Sequence, residues 1–134
     1  LDHFKAVNDN YGHAVGDAVL QEFSQLCSTT LRTDDLFARW GGEEFVALLP
    51  AATPSAARAV AERIRMRVAK RAIPLAGGRS VRQTVSIGVA TPLPPAGLDD
   101  VIRRADDALY AAKSAGRNRV HAAGGASRQT ARRA

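Results

Sequence analysis

Arg39-Trp40-Gly41-Gly42-Glu43-Glu44-Phe45 is the stretch on which the reading of this chain turns. Residues 36–40 read as a short strand, and residues 45–49 as a strand apolar enough to be buried on both faces. Two such runs joined by Gly-Gly predict a β-hairpin, because tight hairpin turns need φ > 0 and glycine adopts it without steric cost. Two glutamates stand directly after the turn. Adjacent strand residues point to opposite faces, so one carboxylate can face a ligand while the other faces a neighbouring element or solvent. Carboxylates held at a rigid turn suit a hard cation such as Mg²⁺, which takes one or two of them together with phosphate oxygens. For the Glu-Glu pair alone, the alternative is a charged hairpin tip.

Upstream, residues 1–7 read as the end of a strand or the start of a turn, and Asn8-Asp9-Asn10-Tyr11-Gly12-His13 is dense in turn formers. Gly16-Asp17 predicts a helix start, with Asp17 near the positive end of the helix dipole. Leu20, Phe23, Leu26, Cys27 and Leu31 then recur at helical spacing. Downstream, the prolines at 50 and 54 break the second hairpin strand. Ser55 is the expected N-cap of a helix over residues 56–70, with Ala57, Val60, Ile64 and Val68 inward. Gly77-Gly78-Arg79 reads as a turn, residues 81–90 as one strand, and the prolines at 92, 94 and 95 with Gly97 as a rigid loop. A helix from Asp99 or Asp100 to Ala115 and a short last strand over 118–122 complete the order. That order predicts an α+β fold with helices packed on a mixed sheet.

A chain of 134 residues is one domain, long enough to bury a core. Its net charge of +6 is not spread along it: residues 1–107 carry as many acids as bases, and the excess lies in Lys113, Arg117, Arg119, Arg128, Arg132 and Arg133. This end reads as a solubilising tail, disordered over about 123–134. The alternative is nonspecific attraction to nucleic acid or acidic lipid. No aromatics are interleaved there for base stacking, and no specific nucleic-acid partner is expected. A single cysteine, Cys27, excludes an internal disulfide and a cysteine-rich zinc site, and fits a reducing cytoplasm. No apolar run approaches the ~20 residues of a membrane span, so any membrane attachment is expected from parts outside this chain. His3, His13 and His121 show no metal-ligand spacing, and His13 reads as structural.

With these pieces placed, the chain resembles the GGDEF family, the diguanylate cyclases, over residues 1 to about 121. His3-Phe4-Lys5 with Asn8-Asp9, Tyr11-Gly12-His13 and Gly16-Asp17 resembles the family's opening motif in order and spacing. The Gly41-Gly42-Glu43-Glu44-Phe45 run is similar to its signature, in the variant with Glu third. Ser86-Ile87-Gly88-Val89 looks like its later strand. Ala105-Asp106, Ala108-Leu109-Tyr110, Ala112-Lys113 and Gly116-Arg117-Asn118 look like its C-terminal motif.

The resemblance implies a fold like that of nucleotidyl cyclases and polymerase palms, a central mixed, mostly antiparallel sheet flanked by helices. It implies condensation of two GTP into cyclic di-GMP across a homodimer, with Mg²⁺ or Mn²⁺. Catalysis of that kind rests on metal and cation stabilisation plus positioning. Carried over residue by residue, Glu43 matches the metal-binding carboxylate and Glu44 its catalytic neighbour. Gly41 and Gly42 let backbone approach the triphosphate, Asn8 and Asp17 match the guanine-reading pair, and the Phe4-Lys5 backbone matches a phosphate-holding turn. Lys113 and Arg117, four apart, match a phosphate-contacting pair on one helical face. Arg32 and Asp35 match the family's inhibitory R-x-x-D site, supplemented by Arg63, where cyclic di-GMP stops turnover. That site should lie roughly 15–20 Å from the signature at ~3.3 Å per strand residue.

The family pattern places a first metal-binding aspartate just before Leu1, with Asp2 the second of the pair. The expectation is a catalytic domain over residues 1–122 lacking its N-terminal helix and most of its first strand, inactive as this fragment and cytoplasmic in its parent. The alternative is a catalytically inactive cyclic di-GMP receptor using Arg32 and Asp35.

Overall fold

The computed structural model of the chain describes residues 1–124, so most of the basic tail expected over 123–134 lies outside the described residues. The chain opens with two helices where a turn was expected: α1, Phe4–Tyr11, and α2, His13–Thr30. Asn8, Asp9 and Asn10 are helical despite their preference for turns. That preference is weak, at most ~0.7 kcal/mol per residue. Phe4 and Val7, one turn apart, are both buried against Val19, Leu20, Ile73 and Val81. Burying a Phe or Val gains about 1.5–3 kcal/mol each, which decides the matter. The break falls at Gly12, whose φ of 88° would strain any other residue and whose amide caps the Asn8 carbonyl at 2.9 Å. Helix α2 therefore begins at His13, and Asp17 sits in its second turn rather than at its start.

Strands β1, Leu36–Arg39, and β2, Phe45–Leu48, pair antiparallel from Leu36↔Leu48 to Arg39↔Phe45. The reversal is a five-residue loop, closed by the Trp40 and Gly41 amides donating to the Glu44 carbonyl at 2.8 and 3.2 Å. Neither Gly41 nor Gly42 has φ > 0, because a wider loop spreads the reversal that a two-residue turn would force into the left-handed region. On the inner face Phe37 and Phe45 stack at 5.4 Å, with Phe23 of α2 tilted onto Phe45 at 4.9 Å. Leu36, Ala38 and Leu48 on the other face are exposed, so β2 is not buried on both faces.

Helix α3, Pro54–Lys70, is capped by Thr53 rather than Ser55. The Thr53 hydroxyl accepts from the Ala56 amide at 3.1 Å, and Pro54 takes the first helical position, where its missing N–H costs nothing. Strand β3, Ala72–Pro74, absent from the sequence reading, pairs antiparallel with β4, Ser80–Arg82. The single strand expected over 81–90 is divided into β4 and β5, Ile87–Val89. Between them the side chains of Gln83, Thr84 and Ser86 all donate to Asp2. Helix α4, Leu98–Ser114, follows, and β6, Val120–Ala122, pairs parallel with β5.

The α+β class holds, with two of the three ladders antiparallel and helices packed on them. Among the described residues these ladders are not one continuous sheet. Leu1 and Asp2 stand between two of them: the Leu1 nitrogen donates to the Glu43 carbonyl at 3.1 Å and the Asp2 amide to the Thr84 carbonyl at 3.0 Å. One core cluster joins α1 and α2 to the β3–β4 hairpin. A second joins Phe23 and Cys27 of α2 to Ile64 and Val68 of α3 and to Val85. Burial pushes the Cys27 thiol up to about 12, so it behaves as a small apolar core residue and not as a nucleophile.

Candidate functional site

A cleft of about 440 Å³ opens where α1, α2 and the hairpin tip meet. Phe4, Lys5 and Asn8 line it from α1, His13, Asp17 and Leu20 from α2, and Arg39, Gly42 and Glu43 from the hairpin. Lys5 and Asn8 are one turn apart, as are His13 and Asp17, so each helix turns one face to the same space. The lining groups include a cation and a carboxylate, Lys5 and Glu43, suited to phosphate and a hard metal ion, and an amide and a carboxylate, Asn8 and Asp17, which together offer a donor and acceptors to a base edge. Six residues expected to act together from the sequence, Phe4, Lys5, Asn8, Asp17, Gly42 and Glu43, are thus brought together.

Some placements differ from expectation. Phe4 and Lys5 open α1 rather than forming a turn, and the Phe4 ring is core. Glu44 is exposed and, like Gly41, does not line the cleft. Space beside Gly42 is open: a Cβ built there meets nothing within 4 Å. Lys113 and Arg117 do not share a helical face, because α4 ends at Ser114 and Arg117 adopts φ 63° with its amide bonded to the Ala112 carbonyl at 3.0 Å. Neither lines the cleft.

Arg32, Asp35 and Arg63 lie outside the cleft. The Asp35 carboxylate accepts from the Arg32 backbone amide at 2.8 Å, and the Asp35 amide donates back to the Arg32 carbonyl at 3.1 Å. The pair is a local loop closure and not a side-chain ion pair.

Several residues of the site carry no role in the sequence reading. His13, read as structural, lines the cleft from the first turn of α2. Asp2, buried, accepts from Ser86 and Thr84 hydroxyls at 2.7 and 2.8 Å and from the Asn118 amide at 3.1 Å. Burial alone would push its carboxyl up, but those hydrogen bonds outweigh it and hold the group below the usual carboxylate range. The polar Thr84 and Ser86, alternating with apolar Val85 and Ile87, were the available signal for such a partner. Gly16 is the third case. A Cβ there would stand 1.9 Å from the Asn8 side-chain oxygen.

That contact gives a clean test. Gly16→Ala in a helix interior ordinarily stabilises by about 1 kcal/mol. Here it must push the Asn8 amide aside, which a flexible side-chain end allows at little cost to the fold. Expected is an unfolding temperature unchanged or raised, with guanine-nucleotide affinity lowered roughly tenfold, the value of one or two lost hydrogen bonds. Calorimetric titration with GTP beside thermal unfolding checks it, and unchanged affinity would show that Asn8 does not read the base as the family resemblance implies.

Among the described residues no group of three or more His, Cys, Asp or Glu is arranged to hold a metal ion. Glu43 brings one carboxylate, a hard oxygen donor that fits a divalent cation whose remaining positions are filled by nucleotide phosphates and water.

The family model "Diguanylate cyclase, GGDEF domain" matches residues 1–119. Diguanylate cyclase A of Treponema denticola is 45% identical over 121 residues, which span 90% of this chain and 32% of that protein. Diguanylate cyclase DgcM of Escherichia coli K12 is 48% identical over 122 residues, 91% of this chain and 29% of that protein. The chain thus spans under a third of the length of these curated relatives. Among solved structures, the GGDEF domain of DgcB from Caulobacter crescentus, in complex with c-di-GMP, superposes with a TM-score of 0.88 at 38% identity, over 91% of this chain and 72% of that one. The active GGEEF domain of a diguanylate cyclase from Vibrio cholerae gives a TM-score of 0.83 at 32% identity, over 93% of this chain and 79% of that one. The family match over nearly the whole described chain and the shared fold agree, and the chain belongs to the GGDEF family of diguanylate cyclase domains.

Proposed function

We propose that this domain condenses two GTP into cyclic di-GMP and pyrophosphate, one GTP from each subunit of a homodimer, in the cytoplasm where GTP is abundant. The observation that carries this reading is the single cleft shared by Lys5, Asn8, Asp17 and Glu43. Asn8 and Asp17 read guanine, since a carboxylate accepts from its N1–H and 2-amino group and would face only acceptors or unmatched donors on adenine. Lys5 meets phosphate charge. Glu43 holds Mg²⁺ or Mn²⁺, which supplies Lewis-acid stabilisation of charge on the phosphate oxygens. The 3′-hydroxyl oxygen of one GTP bonds to the α-phosphorus of the other, the α–β anhydride bond breaks, and the hydroxyl proton leaves to solvent. A second identical step closes the ring. Glu44, Gly41, Lys113 and Arg117 complete the site from outside the cleft wall, with the dimer bringing the second nucleotide.

Glu in the third signature position is compatible with activity in this reading, since the Vibrio cholerae relative is described as an active GGEEF domain. Arg32, Asp35 and Arg63 form a separate product site. In its support, the Asp35 carboxylate engages the Arg32 backbone and leaves the Arg32 guanidinium available for a phosphate or guanine edge. Such a site inhibits by immobilising subunits, because it lies at the far end of β1 from Glu43 and cannot share one base with the cleft. A cyclic di-GMP receptor would use this second site alone and leave the cleft without a purpose.

The test is chromatography of products formed by the protein at its natural length from GTP or ATP with Mg²⁺. Cyclic di-GMP from GTP alone is expected, and equal use of ATP would refute the guanine assignment. In the same assay Arg32→Ala should weaken inhibition by added cyclic di-GMP roughly tenfold to hundredfold, the scale of a lost charge-assisted hydrogen bond of about 1.5–3 kcal/mol, with the initial rate nearly unchanged. An unchanged inhibition constant would leave Arg32 and Asp35 as a loop closure only.

A further inference from the structure

Arg39, the last residue of β1, turns its side chain back over its own loop. Its Nε donates to the carbonyls of Gly41 and Gly42, each at 3.1 Å, and a terminal nitrogen donates to Gly42 again at 2.6 Å. A guanidinium presents its donors in a fixed planar fork, so holding both carbonyls fixes the two peptide groups that precede Glu43. No other hydrogen bond among the described residues takes these two carbonyls. The nearest atom to a Cβ built on Gly41 is a Glu44 carboxylate oxygen at 4.0 Å, and Gly42 has no neighbour within that distance. Glycine also carries the largest backbone entropy of any residue, so an unclamped Gly-Gly pair would let the following side chain wander. The other bonds at the loop, from the Trp40 and Gly41 amides to the Glu44 carbonyl and from the Leu1 nitrogen to the Glu43 carbonyl, hold its ends and the Glu43 backbone, and none of them takes a glycine carbonyl.

We propose that Arg39 is a positioning residue: its clamp on the two glycine carbonyls aims the Glu43 carboxylate into the cleft, and so sets how tightly the site holds its divalent cation. The proposal rests on the reading of Glu43 as the metal carboxylate. It explains why an arginine that lines the cleft with Gly42 and Glu43 commits its Nε–H and one terminal N–H to its own loop backbone. Lysine cannot replace it, since one ammonium is a point donor that reaches the two carbonyls without fixing their planes.

The experiment compares the full-length protein with its Arg39→Ala and Arg39→Lys variants. Three quantities are read: hydrogen exchange of the loop amides by mass spectrometry, Mn²⁺ affinity by electron paramagnetic resonance with bound GTP, and kcat and KM for GTP. In Arg39→Ala, loop exchange should quicken and Mn²⁺ affinity should fall about 10–100-fold, as when a group orienting a metal ligand is lost. The fall in turnover should appear in kcat, with KM and the unfolding temperature nearly unchanged. Arg39→Lys should recover only part of the Mn²⁺ affinity. Loop exchange and Mn²⁺ affinity that match the parent would overturn the proposal. So would a loss confined to KM, which would assign Arg39 to the substrate phosphates instead. If the parent makes no cyclic dinucleotide, the proposed reaction fails, while exchange and Mn²⁺ binding still decide the clamp.

Discussion

Glu43→Ala is expected to remove cyclic di-GMP synthesis from the full-length protein, lowering kcat by at least about 10²–10³-fold, the loss typical of one preorganised charge-stabilising group. The reason is chemical. In the proposed reaction charge accumulates on phosphate oxygens as the α-phosphorus is attacked, and this carboxylate would hold the divalent cation that stabilises it. The fold should not notice. Glu43 is half-buried on a loop whose closing bonds come from the backbone of Trp40, Gly41 and Glu44 and from Arg39, so its side chain holds nothing together. Circular dichroism and thermal unfolding should therefore match the parent within experimental scatter. Glu43→Gln sharpens the test, because it keeps the shape and removes the charge, and it should be nearly as inactive. Turnover within a few fold of the parent, with an intact fold, would take Glu43 out of the metal site.

Gly88→Ala should unfold or severely weaken the domain, and it is the substitution with the largest expected effect on stability. Helix α4 crosses β5 so closely that a Cβ on Gly88 would stand 2.1 Å from the Ala105 carbonyl oxygen, 2.4 Å from the Leu109 nitrogen and 3.0 Å from its Cα. All three atoms are backbone. No rotamer change on α4 relieves the overlap, so the helix must lift from the strand or the strand must leave its ladder with β6. Overpacking ordinarily costs 1–3 kcal/mol, and a backbone clash belongs at or above the top of that range. At roughly 3 kcal/mol the unfolding temperature falls by on the order of 10 °C. Thermal unfolding followed by circular dichroism measures it, and a shift under about 2 °C would mean that α4 can move aside freely. The contrast with Gly16→Ala is instructive. There the atom in the way is the free end of a side chain, so the fold is spared and the base site suffers.

Local spacing carried much of this protein. The helical recurrence of Leu20, Phe23 and Cys27, and of Ile64 and Val68, marks α2 and α3 because a buried stripe at 3.6 residues per turn is a property of the segment itself. Lys5, Asn8 and Asp17 became candidates through the motif order that resembles the GGDEF family, and Glu43 also through the two-glycine turn directly before it. Contacts across long separations decided the rest. Helix α1 forms against its turn-prone sequence because Phe4 and Val7 meet Ile73 and Val81, far along the chain. Between β4 and β5 the hydroxyls of Thr84 and Ser86 are taken by Asp2, more than 80 positions away, a partnership no local pattern contains. Gly16 and Gly88 look like ordinary glycines until Asn8 and the α4 backbone are packed on them. Arg39 is one more exposed arginine until its guanidinium is seen on the two glycine carbonyls. Periodicity and residue type report what a segment prefers within a few turns of itself. Close approach and hydrogen-bond partnership between distant segments depend on how the elements pack, which short-range patterns do not contain.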